Sequence, residues 1–262
     1  MVDQTSQEGR RYFRWQAALN EAERLENSGM IHLIVDLTER SAELEHDLRP
    51  GLTPDAALLV APGWKLGVKR LVDVLGAFLA LLILAPVLLA AAAAVKLTSP
   101  GPILFSQRRA GNNAREFLFH KFRSMHVNAE GERDALLDLN EHRGPVFKIR
   151  QDPRLTPAGR FIRRTSIDEL PQLWNVLRGE MSLVGPRPLP TKEAAQCSDW
   201  ESQRLTVKPG VTCIWQVSGR SELDFETWVR MDIEYIEKWS LWFDLELLAR
   251  TISAVLSGRG AY

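Results

Sequence analysis

Two adjacent carboxylates, Asp168 and Glu169, stand in the stretch SIDELPQLWNVLRGEMSLVGPRP, which runs from Ser166 to Pro188. Arg163 precedes the pair, and Arg187 follows it between two prolines that stiffen its backbone. Amid this cationic charge both carboxyls should stay ionised at neutral pH. An ionised aspartate can attack phosphorus as a covalent nucleophile, and a neighbouring carboxylate can hold Mg²⁺ together with substrate phosphates. The pattern therefore indicates phosphoryl chemistry on an anionic substrate.

The same stretch has the pattern of a helix start, which is the alternative explanation for the acidic pair. Apolar residues recur at spacings of three and four, at Ile167, Leu170, Leu173, Trp174 and Leu177. Proline is tolerated only in the first turn, so Pro171 predicts that Asp168 lies at or near the N-cap, with Glu169 in the first turn. A capping box between Ser166 and Glu169 would place Pro171 beyond that turn. Acidic residues are favourable at these positions without any catalysis, so it is the clustered arginines that favour a phosphate site.

A long apolar segment must lie near this site. The 22 residues from Val74 to Val95 carry no charge, and about 20 apolar residues span a bilayer core. Basic residues flank both ends of the segment, which favours the cytoplasmic side for both; they are Lys65, Lys69, Arg70, Lys96, Arg108 and Arg109. Pro86 predicts a kink near Ala85. The segment is therefore interpreted as a re-entrant hairpin, with a straight span and a buried core helix as alternatives.

Charge is unevenly distributed along the 262 residues, although the net charge is zero. Residues 1–60 contain 6 Lys and Arg against 11 Asp and Glu, whereas residues 101–190 contain 15 against 10. A basic middle section suits phosphates or a membrane surface. Nucleic acid is a weaker hypothesis, because no recognition motif accompanies the charge. Cys197 and Cys213 have no metal-site spacing and fit a reducing compartment.

These patterns divide the chain into three parts. Residues 1–60 form an acidic extension with helical and strand patterns and no evident chemistry, residues 61–98 form the membrane segment, and residues 99–257 form a mixed α/β catalytic domain. Within the last part, ILFSQ is typical of a strand. The stretch from Thr227 to Leu256 has helical periodicity and contains Trp239 and Trp242. It is either an interfacial amphipathic helix or a helix packed on the core.

The stretch DPRLTPAGRFIRRTSIDELPQLWNVLRGEMSLVGPRP resembles the bacterial sugar transferase family, the monotopic phosphoglycosyl transferases. Four further pieces match family motifs in the same order: KRLVDVLGA, FSQRRAG, HKFRSM and VKPGVTCIWQVSGR. The resemblance extends from Lys69 to Leu256. Several long motifs in a fixed order make it specific.

The resemblance implies a membrane-associated enzyme with a re-entrant helix hairpin and a cytosolic α/β catalytic domain, at the cytoplasmic face of the inner membrane. A nucleotide diphospho-sugar, usually a UDP-sugar, would give its sugar phosphate to the aspartate of the acidic pair, and UMP would leave. Undecaprenyl phosphate would then accept the sugar phosphate in the first step of exopolysaccharide, capsule or O-antigen synthesis. Mg²⁺ is the implied cofactor. The implied partners are these substrates and inner-membrane lipid, without nucleic acid and with a homodimer left open.

Carried onto this chain, the resemblance makes Asp168 the nucleophile and Glu169 the carboxylate that holds the metal. It also assigns five residues to substrate binding: Lys121, Arg163, Arg187, Arg220 and Asp232. For Arg187 it implies contact with the nucleotide or phosphate. The sugar itself is not implied.

Three departures from the family pattern qualify the resemblance. Ala85 precedes Pro86 where many members have Ser-Pro, and Cys213 replaces a glycine, which would alter a turn. Some members carry four additional membrane helices ahead of this domain. Here the acidic extension stands in that place, which predicts either a short-form enzyme or a piece of a longer chain. An inactive membrane-bound scaffold is the alternative function, and the intact acidic pair argues against it.

Overall fold

A computed structural model describes residues 56–141, 145–149, 151–218 and 223–257. The helix and strand patterns of residues 1–55 and the candidate residue Arg220 lie outside these ranges. The role predicted for the acidic extension therefore stays a prediction.

The apolar segment folds into two helices, α1 (Gly63–Ile83) and α2 (Ala85–Thr98), which are bent by 63° relative to each other. Pro86 lies in the first turn of α2, where its missing N–H costs nothing. The predicted kink is thus confirmed. Among the described residues, neither helix is long and apolar enough to cross a membrane alone, but the bent pair together meets that requirement in length and composition.

The surface of this helix pair contradicts the alternative of a buried core helix. Near the bend, Leu82, Ile83 and Leu89 are 63%, 71% and 73% exposed. Only small or short side chains on the opposite face are buried, such as Ala77 on α1 and Ala91 on α2. The exposed large side chains therefore cluster around the bend, whereas Leu81 and Leu88 pack against the core.

A β-hairpin follows, formed by β1 (Leu104–Ala110) and β2 (Glu116–Phe122). The strands are antiparallel, with Phe105 opposite Lys121 and Gln107 opposite Phe119. Directly opposed residues share a face of the pair, and residues two apart on one strand do so as well. Lys121 therefore lies on the same face as Phe105 and Gln107. The strand prediction for ILFSQ is confirmed.

The acidic motif, Ser166 to Pro188, follows α3 (Pro157–Arg164). It begins with a 3₁₀ turn (Ile167–Glu169) and continues into α4 (Gln172–Arg178). The N-cap prediction for Asp168 was wrong, because Pro171 occupies the N-cap of α4 and Asp168 lies inside the separate 3₁₀ turn. The Ser166–Glu169 capping box is absent as well, since Ser166 makes no side-chain cap hydrogen bond. The apolar stripe was correct for Leu173, which is buried, but not for Trp174, which is 53% exposed.

Near its end the acidic motif forms a short strand, β3 (Ser182–Val184), which pairs in parallel with β4 (Gly210–Thr212). A Cβ added at Gly210 would lie 2.7 Å from the Cα of Gly185, so the two segments approach this closely only with glycine at the contact. Cys213 follows β4 and is buried in the largest core cluster. It is not among the described non-glycine residues with positive φ, so Cys213 occupies this position without left-handed strain.

Five further α-helices complete the described part of the domain. They are α5 (Thr191–Ala194), α6 (Asp199–Ser202), α7 (Ile214–Ser218), α8 (Phe225–Lys238) and α9 (Leu241–Ser257). The helical prediction for the C-terminal stretch is confirmed, with a break between α8 and α9. The break separates the two tryptophans: Trp239 is 4% exposed and belongs to the core, whereas Trp242 is 76% exposed.

A buried ion pair attaches α1 to the C-terminal helices. Lys69 Nζ lies 2.6 Å from Asp244 Oδ2 and donates to the Val184 carbonyl at 3.1 Å. Asp244 also accepts hydrogen bonds from the Tyr235 hydroxyl at 2.7 Å and from Trp239 Nε1 at 3.2 Å. The N-terminal part of α1 is therefore fixed against the end of β3, a few residues before Arg187.

Two further polar contacts of α1 reach the same region. Asp73 accepts from the Leu183 N–H at 2.8 Å. Arg70 donates to the Val176 and Leu177 carbonyls at 2.6 and 2.9 Å, at the end of α4. Both carbonyls belong to the last turn of α4, where intrahelical partners run out, and that of Val176 also accepts from the Gly179 N–H at 3.0 Å.

Candidate active site

A cleft of about 1100 Å³ opens beside the acidic motif. Five of the seven candidate residues line it: Lys121, Arg163, Asp168, Glu169 and Arg187. Asp232 does not line it, and Arg220 lies outside the described residues. The cleft therefore collects side chains from β2, α3, the 3₁₀ turn and the segment after β3.

A strained backbone turn presents the acidic pair to the cleft. Ser166 has φ 57° and ψ 14°, a left-handed conformation that is unusual for a residue with a side chain. Its N–H donates to the Arg163 carbonyl at 3.0 Å, and its carbonyl accepts from the Glu169 N–H at 3.2 Å. Such strain persists where surrounding structure enforces it, commonly at functional sites.

Glu169 and Arg187 form a two-pronged ion pair. Arg187 Nη1 donates to Glu169 Oε2 at 3.1 Å, and Nη2 donates to Oε1. With its amide oxygen turned toward the guanidinium, Gln216 accepts from Arg187 Nη1 at 2.8 Å. Burial alone would raise the pKa of the Glu169 carboxyl, but Arg187 outweighs it and the pKa is lowered. Glu169 is therefore ionised at neutral pH.

Asp168 is 6% exposed and carries the perturbed carboxyl of the pair. Burial, and then the charge of Glu169, raise its pKa to about 6, while Lys121, Arg163 and Arg187 oppose that rise. At neutral pH the carboxyl is thus mostly ionised, as expected from the sequence. It is also more basic than an ordinary aspartate, as suits a nucleophile or base near neutral pH.

Lys121 and Arg163 face this carboxyl from two other elements. Burial, and then the charge of Arg163, lower the pKa of Lys121 to about 7. Arg163 donates from Nε to the Ser124 hydroxyl at 3.0 Å, which fixes its guanidinium at the end of α3. Both basic side chains neighbour Asp168, and Lys121 attracts anions in its protonated form.

Arg109 is a candidate that the sequence argument did not select. It lines the cleft, its guanidinium carbon lies 3.9 Å from the centroid of the Phe119 ring, and Nη1 donates to the Pro188 carbonyl at 2.7 Å. Burial, and then the charge of Arg187, lower its pKa to about 9. Its position in FSQRRAG, a motif that matches the family, was the available signal. The sequence did not distinguish it from Arg108, which also lines the cleft.

Asp232 lies behind the cleft wall rather than on it. It pairs with Arg204, and both side chains are only 1% exposed. Burial raises its pKa to about 6, and Arg204 partly offsets the rise. Arg204 in turn donates from Nη2 to the Arg187 carbonyl at 2.9 Å. Asp232 therefore reaches the site through Arg204 and the backbone of Arg187.

The carboxylates fit a metal only in part. Within the described ranges, no group of three or more His, Cys, Asp or Glu side chains could hold a metal ion. Mg²⁺ is commonly held by one or two carboxylates together with substrate phosphates, and Asp168 and Glu169 are donors of that kind. Both oxygens of Glu169 contact Arg187, so a metal must displace part of this ion pair. The donor set suits a metal that arrives with phosphates.

The site as a whole combines one activated carboxylate with an excess of positive charge. Arg109, Lys121, Arg163 and Arg187 face two carboxylates in one cleft. Guanidinium groups bind phosphate oxygens in pairs of parallel hydrogen bonds. The geometry suits attack by a carboxylate on the phosphorus of a bound phosphate ester or diphosphate.

Comparison with known proteins agrees with this chemistry. The family model for bacterial sugar transferases matches residues 64–258. The chain is 46% identical over 194 residues to the galactosyl transferase CpsE of Streptococcus agalactiae, a match that covers 74% of this chain and 43% of that protein. It is 41% identical over 202 residues to the UDP-glucose:undecaprenyl-phosphate glucose-1-phosphate transferase of Escherichia coli, covering 74% and 41%.

A shorter relative matches over most of its length. The exopolysaccharide production protein ExoY of Rhizobium meliloti is 39% identical over 198 residues, which cover 74% of this chain and 88% of that protein. The chain thus spans less than half of the two longer relatives but most of ExoY. The region matched by the family model includes nearly all of the helix pair, the acidic pair and Arg187. This chain belongs to the bacterial sugar transferase family.

Proposed function

We propose that this protein transfers a sugar phosphate from a nucleotide diphospho-sugar to undecaprenyl phosphate, and that the sugar phosphate is carried covalently on Asp168. The observation that carries this proposal is the buried, ionisable Asp168 beside the Glu169–Arg187 ion pair in a cation-rich cleft. Relatives named as undecaprenyl-phosphate galactose phosphotransferase and as glucose-1-phosphate transferase support the same reaction class.

The first half of the reaction would load the enzyme. A carboxylate oxygen of Asp168 forms a bond to the phosphorus that carries the sugar. The phosphorus–oxygen bond to the nucleoside monophosphate breaks, and UMP leaves with the electron pair if the donor is a UDP-sugar. Arg187 and Lys121 hold the negative charge of the phosphates, and burial excludes water from the acyl phosphate.

The second half would unload it. A phosphate oxygen of undecaprenyl phosphate attacks the same phosphorus, and the Asp168 carboxylate is restored. The product is an undecaprenyl diphospho-sugar, the lipid-linked start of a polysaccharide. When bound, Mg²⁺ would neutralise charge on the donor phosphates, and Glu169 would hold it.

The lipid acceptor implies a membrane, and the helix pair supplies the surface for one. Its large apolar side chains face outward around the 63° bend. Phe161 on α3, Trp174 on α4 and Trp242 on α9 are exposed as well, and aromatic side chains favour the bilayer interface. We infer that the pair dips into the cytoplasmic leaflet of the inner membrane and returns, while α3, α4 and α9 rest on its surface.

UMP release tests the reaction. The purified full chain would be incubated with Mg²⁺, undecaprenyl phosphate and a panel of UDP-sugars, alongside Asp168→Asn. Asp138→Asn serves as a control because Asp138 is an exposed acid outside the cleft. Without the lipid, radiolabelled sugar should remain attached to wild type and Asp138→Asn but not to Asp168→Asn. Full turnover by Asp168→Asn would show that Asp168 is not the nucleophile.

Cysteine labelling tests the topology. Trp64 lies in the first turn of α1 and Arg108 lies in β1, at the two ends of the apolar segment. Trp64→Cys and Arg108→Cys would be introduced separately into a background that lacks Cys197 and Cys213. In inverted membrane vesicles, both positions should react with a membrane-impermeant maleimide. Reaction of the two positions from opposite faces would reject the re-entrant arrangement.

A further inference from the structure

A tryptophan in the cleft carries a hydrogen-bond donor without a partner. Trp215 lines the cleft and is 6% exposed, yet its Nε1 has no hydrogen-bond partner among the described residues. An indole nitrogen can only donate. Buried donors are nearly always paired, so this N–H indicates a ligand that brings an acceptor.

A second cleft residue has the same property. Arg204 also lines the cleft, and its side chain is 1% exposed. Its Nη2 donates to the Arg187 carbonyl and pairs with Asp232. Its Nε and Nη1 have no hydrogen-bond partner within the described part of the chain. Two residues that line the cleft therefore carry buried donors without a partner among the described residues.

Aromatic contacts join these two residues into one wall. Trp215 on α7 stacks on Trp228 of α8, with ring centroids 4.2 Å apart and planes within 6°. Phe225 packs edge-on against Trp228 at 6.4 Å, and the guanidinium of Arg204 lies 5.9 Å from the Phe225 ring. The stacked rings hold Trp215 in a single orientation, so its N–H is preorganised.

This aromatic wall adjoins the Glu169–Arg187 ion pair. Gln216, the neighbour of Trp215 in α7, accepts from Arg187 Nη1 at 2.8 Å, and Arg187 contacts Glu169. The sugar of the donor is bonded directly to the phosphate that Asp168 would attack, whereas the nucleoside lies beyond the second phosphate. A sugar bonded to the attacked phosphate can therefore reach this wall directly, whereas the nucleoside would have to span a second phosphate to do so.

We propose that Trp215 and Arg204 form the subsite that recognises the sugar of the donor, with the indole N–H of Trp215 donating to one hydroxyl of a hexose. The inference rests on the proposed transferase function and deepens it. Sugar hydroxyls accept such donors, and the neighbouring rings suit the apolar face of a pyranose. A site built to bond a hydroxyl discriminates against analogues that lack it, because its own buried polar group is then left unpaired.

Trp215→Phe tests the assignment, because it removes the N–H and keeps an aromatic ring. Trp200→Phe is the matched control: Trp200 is half-buried on α6 and does not line the cleft. For each protein, kcat/KM of UMP release would be measured with the preferred UDP-hexose and with its monodeoxy analogues. The inhibition constant of UMP would be measured in parallel, and circular dichroism would verify the fold.

Trp215→Phe should lower kcat/KM for the parent hexose by about 5- to 10-fold, as expected for one neutral hydrogen bond. One deoxy analogue should be a poorer substrate than the hexose for wild type and for Trp200→Phe, but an equal substrate for Trp215→Phe. Inhibition by UMP should be unchanged. A purely structural role for Trp215 would not remove the discrimination against a single hydroxyl.

Other results overturn the assignment. Equal losses by Trp215→Phe on every deoxy analogue would show that the indole N–H contacts no sugar hydroxyl. A matching loss of UMP inhibition would place the nucleoside, rather than the sugar, against Trp215. Absence of UMP release by wild type with every donor would reject the transferase proposal itself, and this inference with it.

Discussion

Replacing Asp168 with asparagine should abolish transfer and yet stabilise the fold. Asparagine has the same shape as aspartate but never ionises, so it removes the cost of a buried charge. Burial and Glu169 raise the pKa of Asp168 from 3.8 to about 6, and this net direction already includes the attraction of Lys121, Arg163 and Arg187.

The size and pH dependence of the effect follow from that pKa. The folded state binds the proton more tightly than the unfolded chain does. The stability contributed by this proton is therefore complete below about pH 4 and is lost as the pH rises through about 6. The interval from 3.8 to about 6 corresponds to about 3 kcal/mol, at about 1.4 kcal/mol per pH unit. Asp168→Asn should gain up to about 3 kcal/mol at about pH 8 and almost nothing at about pH 4.

The free energy of unfolding of wild type and Asp168→Asn would be measured by denaturant titration in one detergent at about pH 8, 6 and 4.5. Tryptophan fluorescence would monitor the unfolding. Asp138→Asn should show no such pH-dependent gain, because Asp138 is exposed. A variant that is no more stable than wild type at about pH 8 would refute the reasoning. So would a gain that grows toward acid. Either result would mean that the surrounding cations, rather than burial, decide the energetics of this carboxyl.

Three further outcomes are expected. Lys69→Met should lower the free energy of unfolding by about 3–5 kcal/mol, because it leaves Asp244 buried without its cation. Lys65→Met changes an exposed position of the same helix and should leave the free energy of unfolding unchanged. Equal losses in the two variants would contradict a role for the buried pair. Arg187→Lys should lower kcat/KM of UMP release by about 100-fold, because lysine cannot make the two-pronged contact. Arg178→Lys, at an exposed arginine, is the control. A loss of less than about threefold in Arg187→Lys would argue against phosphate binding by Arg187. The rate of UMP release should fall about tenfold per pH unit below about pH 6 as Asp168 takes up a proton; a rate that is constant down to about pH 4.5 would contradict the raised pKa.

Features that depend on neighbours in the chain could be predicted from the sequence. The bend at Pro86 follows from the chemistry of one residue, and the strand at Leu104–Ala110 follows from a local pattern. The acidic pair, the arginines and the apolar segment identified the family because their order along the chain is itself diagnostic. Local pattern failed for Trp174, which is exposed, and for Asp168, which lies in a 3₁₀ turn that starts after the left-handed Ser166 and is therefore not a helix cap.

Only the tertiary structure decided how the candidate residues act on one another. Burial and charge pairing depend on which faces meet across long stretches of chain. For this reason the raised pKa of Asp168, the engagement of Glu169 by Arg187 and the stacking of Arg109 on Phe119 could not be read from spacing. The same holds for Asp232, which looked like a cleft residue but supports the site from behind through Arg204. A sequence records which side chains are present, but only packing determines which of them lose water and which keep a partner.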